Sequence, residues 1–115
     1  MNLHRLLLER VDQGRPVKVG LIGAGKFGSM FLSQVPTTPG LEVSAIADLD
    51  PDRARKACRA VHWSDAQIGE VALVEDGAEL CARDDVEVVI EATGHPAAGI
   101  HHALAAIEAG RHIVM

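Results

Sequence analysis

The residues that offer chemistry in this sequence are three glycines in one run, Gly23-Ala24-Gly25-Lys26-Phe27-Gly28. They follow an apolar, β-branched stretch, Val17-Lys18-Val19-Gly20-Leu21-Ile22, and precede a helical pattern. A G-x-G-x-x-G at a strand-to-helix junction has a physical reading. Gly23 permits a tight turn, Gly25 lets a pyrophosphate approach the backbone, and Gly28 lets the helix pack closely on the strand. The helix N-terminus adds free N–H groups and about half a positive charge for the phosphates. Asp48 closes the second apolar stretch, where a carboxylate can accept two hydrogen bonds from an adenosine ribose. Together these point to a dinucleotide. The bland alternative is a strand–helix turn whose glycines serve packing alone.

The remaining candidates are graded by their surroundings. Asp48 repels a 2′-phosphate, which favours NAD over NADP. Arg53, with Arg55 and Lys56 on the following helix, is placed to reach such a phosphate if the Asp48-Leu49-Asp50 loop turns its acids away, so NAD leads only slightly; a solvated basic face is the other reading. Lys26 lies in a first helical turn, where a cation is unfavourable without an anion nearby; it supports the pyrophosphate or is simply exposed. Thr93 and Gly94, in the turn after a later strand, are candidates to line the nicotinamide ribose, and His95 beside them reads as an exposed turn residue. Glu91 puts a charge at the end of a buried strand and needs a partner; it points into the crevice or caps a helix. His101 and His102 read as helix surface. No His, Asp, Glu or Cys set has metal-ligand spacing, no serine stands in a nucleophile elbow, and no catalytic residue is assigned.

Elements that must position these residues follow from periodicity. Leu3, Leu6, Leu7 and Val11 predict an amphipathic helix over 3–12, within a separate N-terminal segment 1–15. Strands are expected at 17–22, 41–47, 71–74, 86–91 and 112–115. Phe27, Met30, Phe31 and Val35 predict one apolar helical stripe, and Ile100, Ala103, Leu104 and Ile107 another. Asp50-Pro51 reads as an N-cap followed by Pro at N1, opening a helix that turns Ala54, Ala57, Cys58 and Val61 inward. A short helix spans 76–82, and 62–70 is expected to be loop. Strand–helix alternation over 16–115 gives a Rossmann-type, doubly wound α/β fold: a parallel sheet of about five strands with helices on both faces.

Composition narrows the partners. The chain has 115 residues, enough for one domain, and 48% of them are apolar. A formal charge of −5 with no Lys/Arg run disfavours nucleic acid and anionic membranes. Only 3% aromatics and no Tyr make a poor base-stacking platform. No apolar run approaches the roughly 20 residues of a membrane span, and the N-terminus is no secretory signal. Cys58 and Cys81 lack C-x-x-C spacing and fit a reducing cytoplasm.

Four stretches carry a likeness. Val19–Gly28 with Ile46–Ala54, and Val88–Gly94 with Ala105–Met115, resemble the N-terminal domain of homoserine-dehydrogenase-like oxidoreductases. The glucose–fructose oxidoreductase and inositol dehydrogenase group is similar too. Within the homoserine dehydrogenase side, the nearest likeness is to the branch related in function to 1-deoxy-D-xylulose 5-phosphate reductoisomerase, whose members use NADPH. The resemblance implies NAD or NADP as cofactor, hydride transfer with a small polar substrate, a substrate domain beyond residue 115, and a homo-oligomer. On that expectation the chain is a fragment that binds cofactor without turnover. The alternative from another class is a nucleotide-binding regulatory or redox-sensing Rossmann module.

Overall fold

A computed structural model describes residues 2–115. Twelve elements alternate along the chain, and eleven take labels here. They are α1 (Leu3–Asp12), β1 (Val17–Ile22), α2 (Lys26–Gln34) continued by a 3-10 turn (Val35–Thr37), β2 (Leu41–Ala47), α3 (Pro51–Ala60), α4 (Asp65–Gly69), β3 (Ala72–Val74), α5 (Gly77–Cys81), β4 (Val88–Glu91), α6 (Pro96–Glu108) and β5 (His112–Val114). All strand pairs are parallel, in the order β3-β2-β1-β4-β5. The chain winds outward from β1 in one direction and then, from β4, in the other. The switch lies between β1 and β4, where ligands bind in open α/β sheets, outside the carboxyl ends of the strands.

Alternation along the central strands sends side chains to two cores. Leu21 and Ile46 join Leu32, Ala54, Cys58, Trp63 and Ile68 under α2, α3 and α4. Ile22, Ala45, Ala47 and Val89 join Leu80, Cys81, Val86 and Ala106 under α5 and α6. Helices therefore cover both faces of the sheet, as the sequence predicts. Trp63 is a packing residue whose Nε1 donates to Leu32 O at 2.9 Å. The two cysteines are buried, unpaired and on opposite faces. Among the described residues no helix is long and apolar enough to cross a membrane.

Several expectations fail, each for a physical reason. Residues 62–70 are not all loop: α4 forms there, and Ser64 and Gln67 close a capping box, which satisfies two N–H groups at once. The apolar stripe on α2 is only half inward. Phe27 and Met30 are 70% and 53% exposed, while Gly28 and Leu32 are buried. Most of the stripe on α6 faces outward: Ile100, Leu104 and Ile107 are exposed and Ala103 is half-buried, while Gly99 and Ala106 meet the sheet. On α6 the inward face is the small one, which allows close approach; on α2 Gly28 allows the approach and Leu32 fills the core. Helix α1 buries no residue. It is held at the amino end of the sheet by Arg10, whose Nη2 donates to both oxygens of Glu87 at 3.1 Å.

Gly28 shows how tight the α2 contact is. A Cβ there would overlap the carbonyl oxygen of Gly23. Backbone cannot yield as a side chain does, so Gly28→Ala is expected to cost about 3 kcal/mol, the upper part of the overpacking range. Chemical denaturation followed by circular dichroism measures it. An unchanged midpoint would mean that α2 is not seated on the glycine turn.

Candidate dinucleotide site at the switch point

The glycine loop leaves β1 with Gly23 at φ +94°, a conformation that L side chains rarely adopt. Gly23 N donates to Ala47 O at 2.8 Å, so the turn is pinned to the end of β2. Gly25 is the N-cap of α2, with an ordinary φ of −79°. Nothing lies within 4 Å of where its Cβ would stand. Gly25 is therefore glycine neither for its backbone angle nor for packing inside this chain.

Helix capping sharpens the point. Side chains cap α1 (Asn2), α3 (Asp50), α4 (Ser64) and α5 (Asp76). No side chain caps α2 or α6. These two helices follow β1 and β4, so both uncapped N-termini border the switch point. The first-turn N–H groups of α2, from Lys26, Phe27 and Gly28, have no intrahelical partner. The Lys26 and Phe27 side chains are exposed.

Asp48 is buried, 4% exposed, at the carboxyl end of β2. Its carboxylate does not turn away with its loop. Oδ2 accepts from Ala24 N at 3.0 Å and Oδ1 from Asp50 N at 2.9 Å. Arg53 reaches back to it: Nη2 donates to Oδ2 at 2.9 Å, and Nε lies 3.1 and 3.2 Å from the two oxygens. Burial pushes the Asp48 carboxyl up, but Arg53 and the two backbone N–H groups outweigh it and hold the group below its usual range. The Arg53 side chain remains 59% exposed. Arg55 pairs with Asp52 instead.

The opposite wall comes from the turn after β4. Ala92 N donates to Ile22 O at 2.8 Å. A Cβ on Gly23 would stand 3.0 Å from Ala92 O and 3.1 Å from Thr93 N, so this turn sits directly against the glycine loop. Gly94 has φ +74°, and Gly94 and His95 are exposed. Glu91 neither caps a helix nor points free into the crevice. Its Oε1 accepts from Thr93 N at 2.7 Å, and its Oε2 lies 2.5 Å from His102 Nδ1. His102, read from sequence as surface, is 13% exposed at its side chain. The structure thus brings Gly23, Ala24, Gly25, Lys26, Phe27, Gly28, Asp48, Arg53, Thr93 and Gly94 to one end of the sheet. An open groove of about 570 Å³, lined by Leu3, Leu6, Leu7 and Val17 among others, lies at the other end of β1.

The model for the GFO/IDH/MocA oxidoreductase family, NAD-binding Rossmann fold, matches residues 17–115. The chain belongs to this family. Similar proteins include homoserine dehydrogenase of Neisseria gonorrhoeae, 34% identical over 109 residues, covering 87% of this chain and 23% of that protein. A glycosyl hydrolase family 109 protein of Phocaeicola vulgatus is 35% identical over 105 residues, covering 86% of this chain and 19% of its own length. Inositol 2-dehydrogenase of Acidothermus cellulolyticus is 35% identical over 83 residues, or 71% of this chain and 22% of that one. The chain thus spans about a fifth of these relatives' length.

Solved structures agree. Myo-inositol dehydrogenase of Lactobacillus casei, in complex with NAD(H) and myo-inositol, superposes with TM-score 0.67 at 26% identity, over 85% of this chain and 27% of that one. A 3-ketoreductase of Actinomadura kijaniata, in complex with NADP, gives 0.67 at 28% identity, over 87% and 29%. The homoserine dehydrogenase and inositol dehydrogenase likenesses thus both stand. The reductoisomerase-like branch draws no support from these relatives.

Proposed function

We propose that residues 16–115 form the cofactor-binding part of an NAD(P)-dependent oxidoreductase acting on a small polar alcohol or carbonyl compound. The observation that carries the reading is Gly25. It is a glycine with no internal reason to be one, at the N-terminus of a helix that no side chain caps. That combination leaves both the space and the N–H donors for a pyrophosphate. In this reading α2 and the loop 23–28 hold the pyrophosphate, Asp48 meets the adenosine ribose once the exposed Arg53 side chain swings off its carboxylate, and Thr93 and Gly94 wall the nicotinamide side. When bound, the nicotinamide supplies the hydride chemistry. The chain's own residues bind and orient.

NAD is the preferred cofactor in this proposal, because a buried anion at Asp48 opposes a 2′-phosphate. The preference is modest, because Arg53 is exposed enough to swing towards that phosphate. Groups for binding and protonating substrate are proposed to lie outside residues 16–115, in a larger oligomeric enzyme. Beneath the crevice, Glu91 is committed to Thr93 and His102. The unpaired cysteines accord with a reducing cytoplasm. Nothing in the geometry favours the regulatory alternative.

The test is a paired titration of the chain with NADH and NADPH, followed by nicotinamide fluorescence. Saturable binding of both is expected, with NADH tighter by less than about tenfold, since Arg53 offsets most of the Asp48 repulsion. A folded chain that binds neither at millimolar concentration would overturn the proposal.

A further inference from the structure

We propose that Glu91 and His102 are positioning residues that hold the turn 92–95 in shape for the nicotinamide half of the cofactor. The inference rests on the dinucleotide reading above and adds two residues to it that touch no ligand. Glu91 ends β4 with its side chain 3% exposed. A buried carboxylate persists only when its oxygens are satisfied. Here both are, and the partners are informative. Oε1 accepts from the backbone N–H and the hydroxyl of Thr93. The same hydroxyl accepts from His95 N at 3.2 Å. Oε2 is held by His102 Nδ1 at 2.5 Å.

The result is one chain of hydrogen bonds from α6, through the end of β4, to two backbone N–H groups of the turn. Between those two groups lies Gly94 at φ +74°. The turn itself abuts Gly23 of the dinucleotide loop. His102 is also fixed from behind. A Cβ on Gly77 of α5 would stand 2.5 Å from its Nε2, so only glycine at 77 leaves the ring its place. A core of apolar residues would supply stability at least as well as a buried polar pair. What it cannot supply is a directional hold on a short exposed turn.

The test separates the halves of the cofactor. ADP probes the loop 23–28 and Asp48 alone; NADH also needs the turn. His102→Leu removes the hold without touching the crevice, and Glu91→Gln removes the charge at constant shape. Each is expected to weaken NADH binding by about tenfold, the loss of one directional hydrogen bond, while ADP binding stays within about twofold. His102→Asn, whose amide can donate from nearly the position of Nδ1, is expected to restore NADH binding. Melting curves identify variants that fold, and either of His102→Leu and Glu91→Gln serves if the other does not fold. Folded variants that keep wild-type NADH affinity, or lose ADP and NADH equally, would overturn the inference alone. A wild-type chain that binds neither ligand would overturn the dinucleotide reading and this inference with it.

Discussion

Gly25→Asp is expected to leave the fold intact and to weaken NADH binding at least about a hundredfold, because like charges a few ångströms apart near a protein surface oppose each other by several kcal/mol. The fold has no objection to the substitution. The φ at position 25 is −79°, open to any L residue, and no atom lies within 4 Å of the added Cβ. Asp is among the best N-cap residues, and its charge suits the positive end of α2. Loss of a glycine also restricts the unfolded chain. Thermal stability should therefore hold or rise slightly. The ligand meets the opposite situation: a carboxylate would stand where the pyrophosphate must approach, and would take its N–H donors.

This makes a pair with Gly28→Ala, which should damage the fold through the Gly23 carbonyl. One glycine of the motif is kept for the ligand and the other for the helix, and the two variants should separate binding from stability. Calorimetric titration with NADH, beside a thermal melt of each variant, reads both quantities. A stable Gly25→Asp chain that still binds NADH at wild-type affinity would remove the pyrophosphate from this loop.

The legible part of the sequence was the part where one residue type has one reason. Val17–Ile22 reads as a strand buried on both faces, and the glycines after it read as a turn into a helix. Asp50-Pro51 announces α3 by cap chemistry alone. The facing of α2 and α6 was not legible from hydrophobicity. Periodicity finds a stripe but does not say which stripe meets the sheet. Gly28, Gly99 and Ala106 win the inward positions because they allow close approach, while Phe27, Ile100, Leu104 and Ile107 stay outside. A rule that weighed small residues at the start of each helix after a strand finds Gly28 and Gly99, though not Ala106 near the end of α6. The capping box at Ser64 and Gln67 is legible as a motif, but α4 is only five residues long and leaves no periodicity to read. The Glu91–His102 pair was half legible. The need for a partner follows from a charge at a strand end, but the partner lies on a helix whose rotation the sequence left open.

Asp48→Asn tests the other half of the site, and its expected result is a shift of cofactor preference towards NADPH by at least about tenfold, the scale of one charge interaction at a partly exposed site. Asn keeps an oxygen for Ala24 N or Asp50 N but loses the charge. The repulsion of a 2′-phosphate goes with it, and Arg53 loses the carboxylate that now holds Nε and Nη2. The freed guanidinium is then available to the phosphate. Arg53→Ala should act in the opposite direction, weakening NADPH while leaving NADH nearly unchanged. Stability supplies a second readout with a definite sign. The Asp48 carboxyl is held below its usual range in the fold, so its contribution is present at neutral pH and is lost as pH falls through that lowered value. Wild type should therefore exceed Asp48→Asn by about 1–2 kcal/mol near pH 7, allowing for the exposure of Arg53. The gap should close below about pH 4, where carboxylates protonate. A gap that persists in acid would mean that packing, not charge, distinguishes the two. An unchanged NADH-to-NADPH ratio in both variants would mean that the adenosine ribose does not lie at the end of β2, whatever the glycine loop holds.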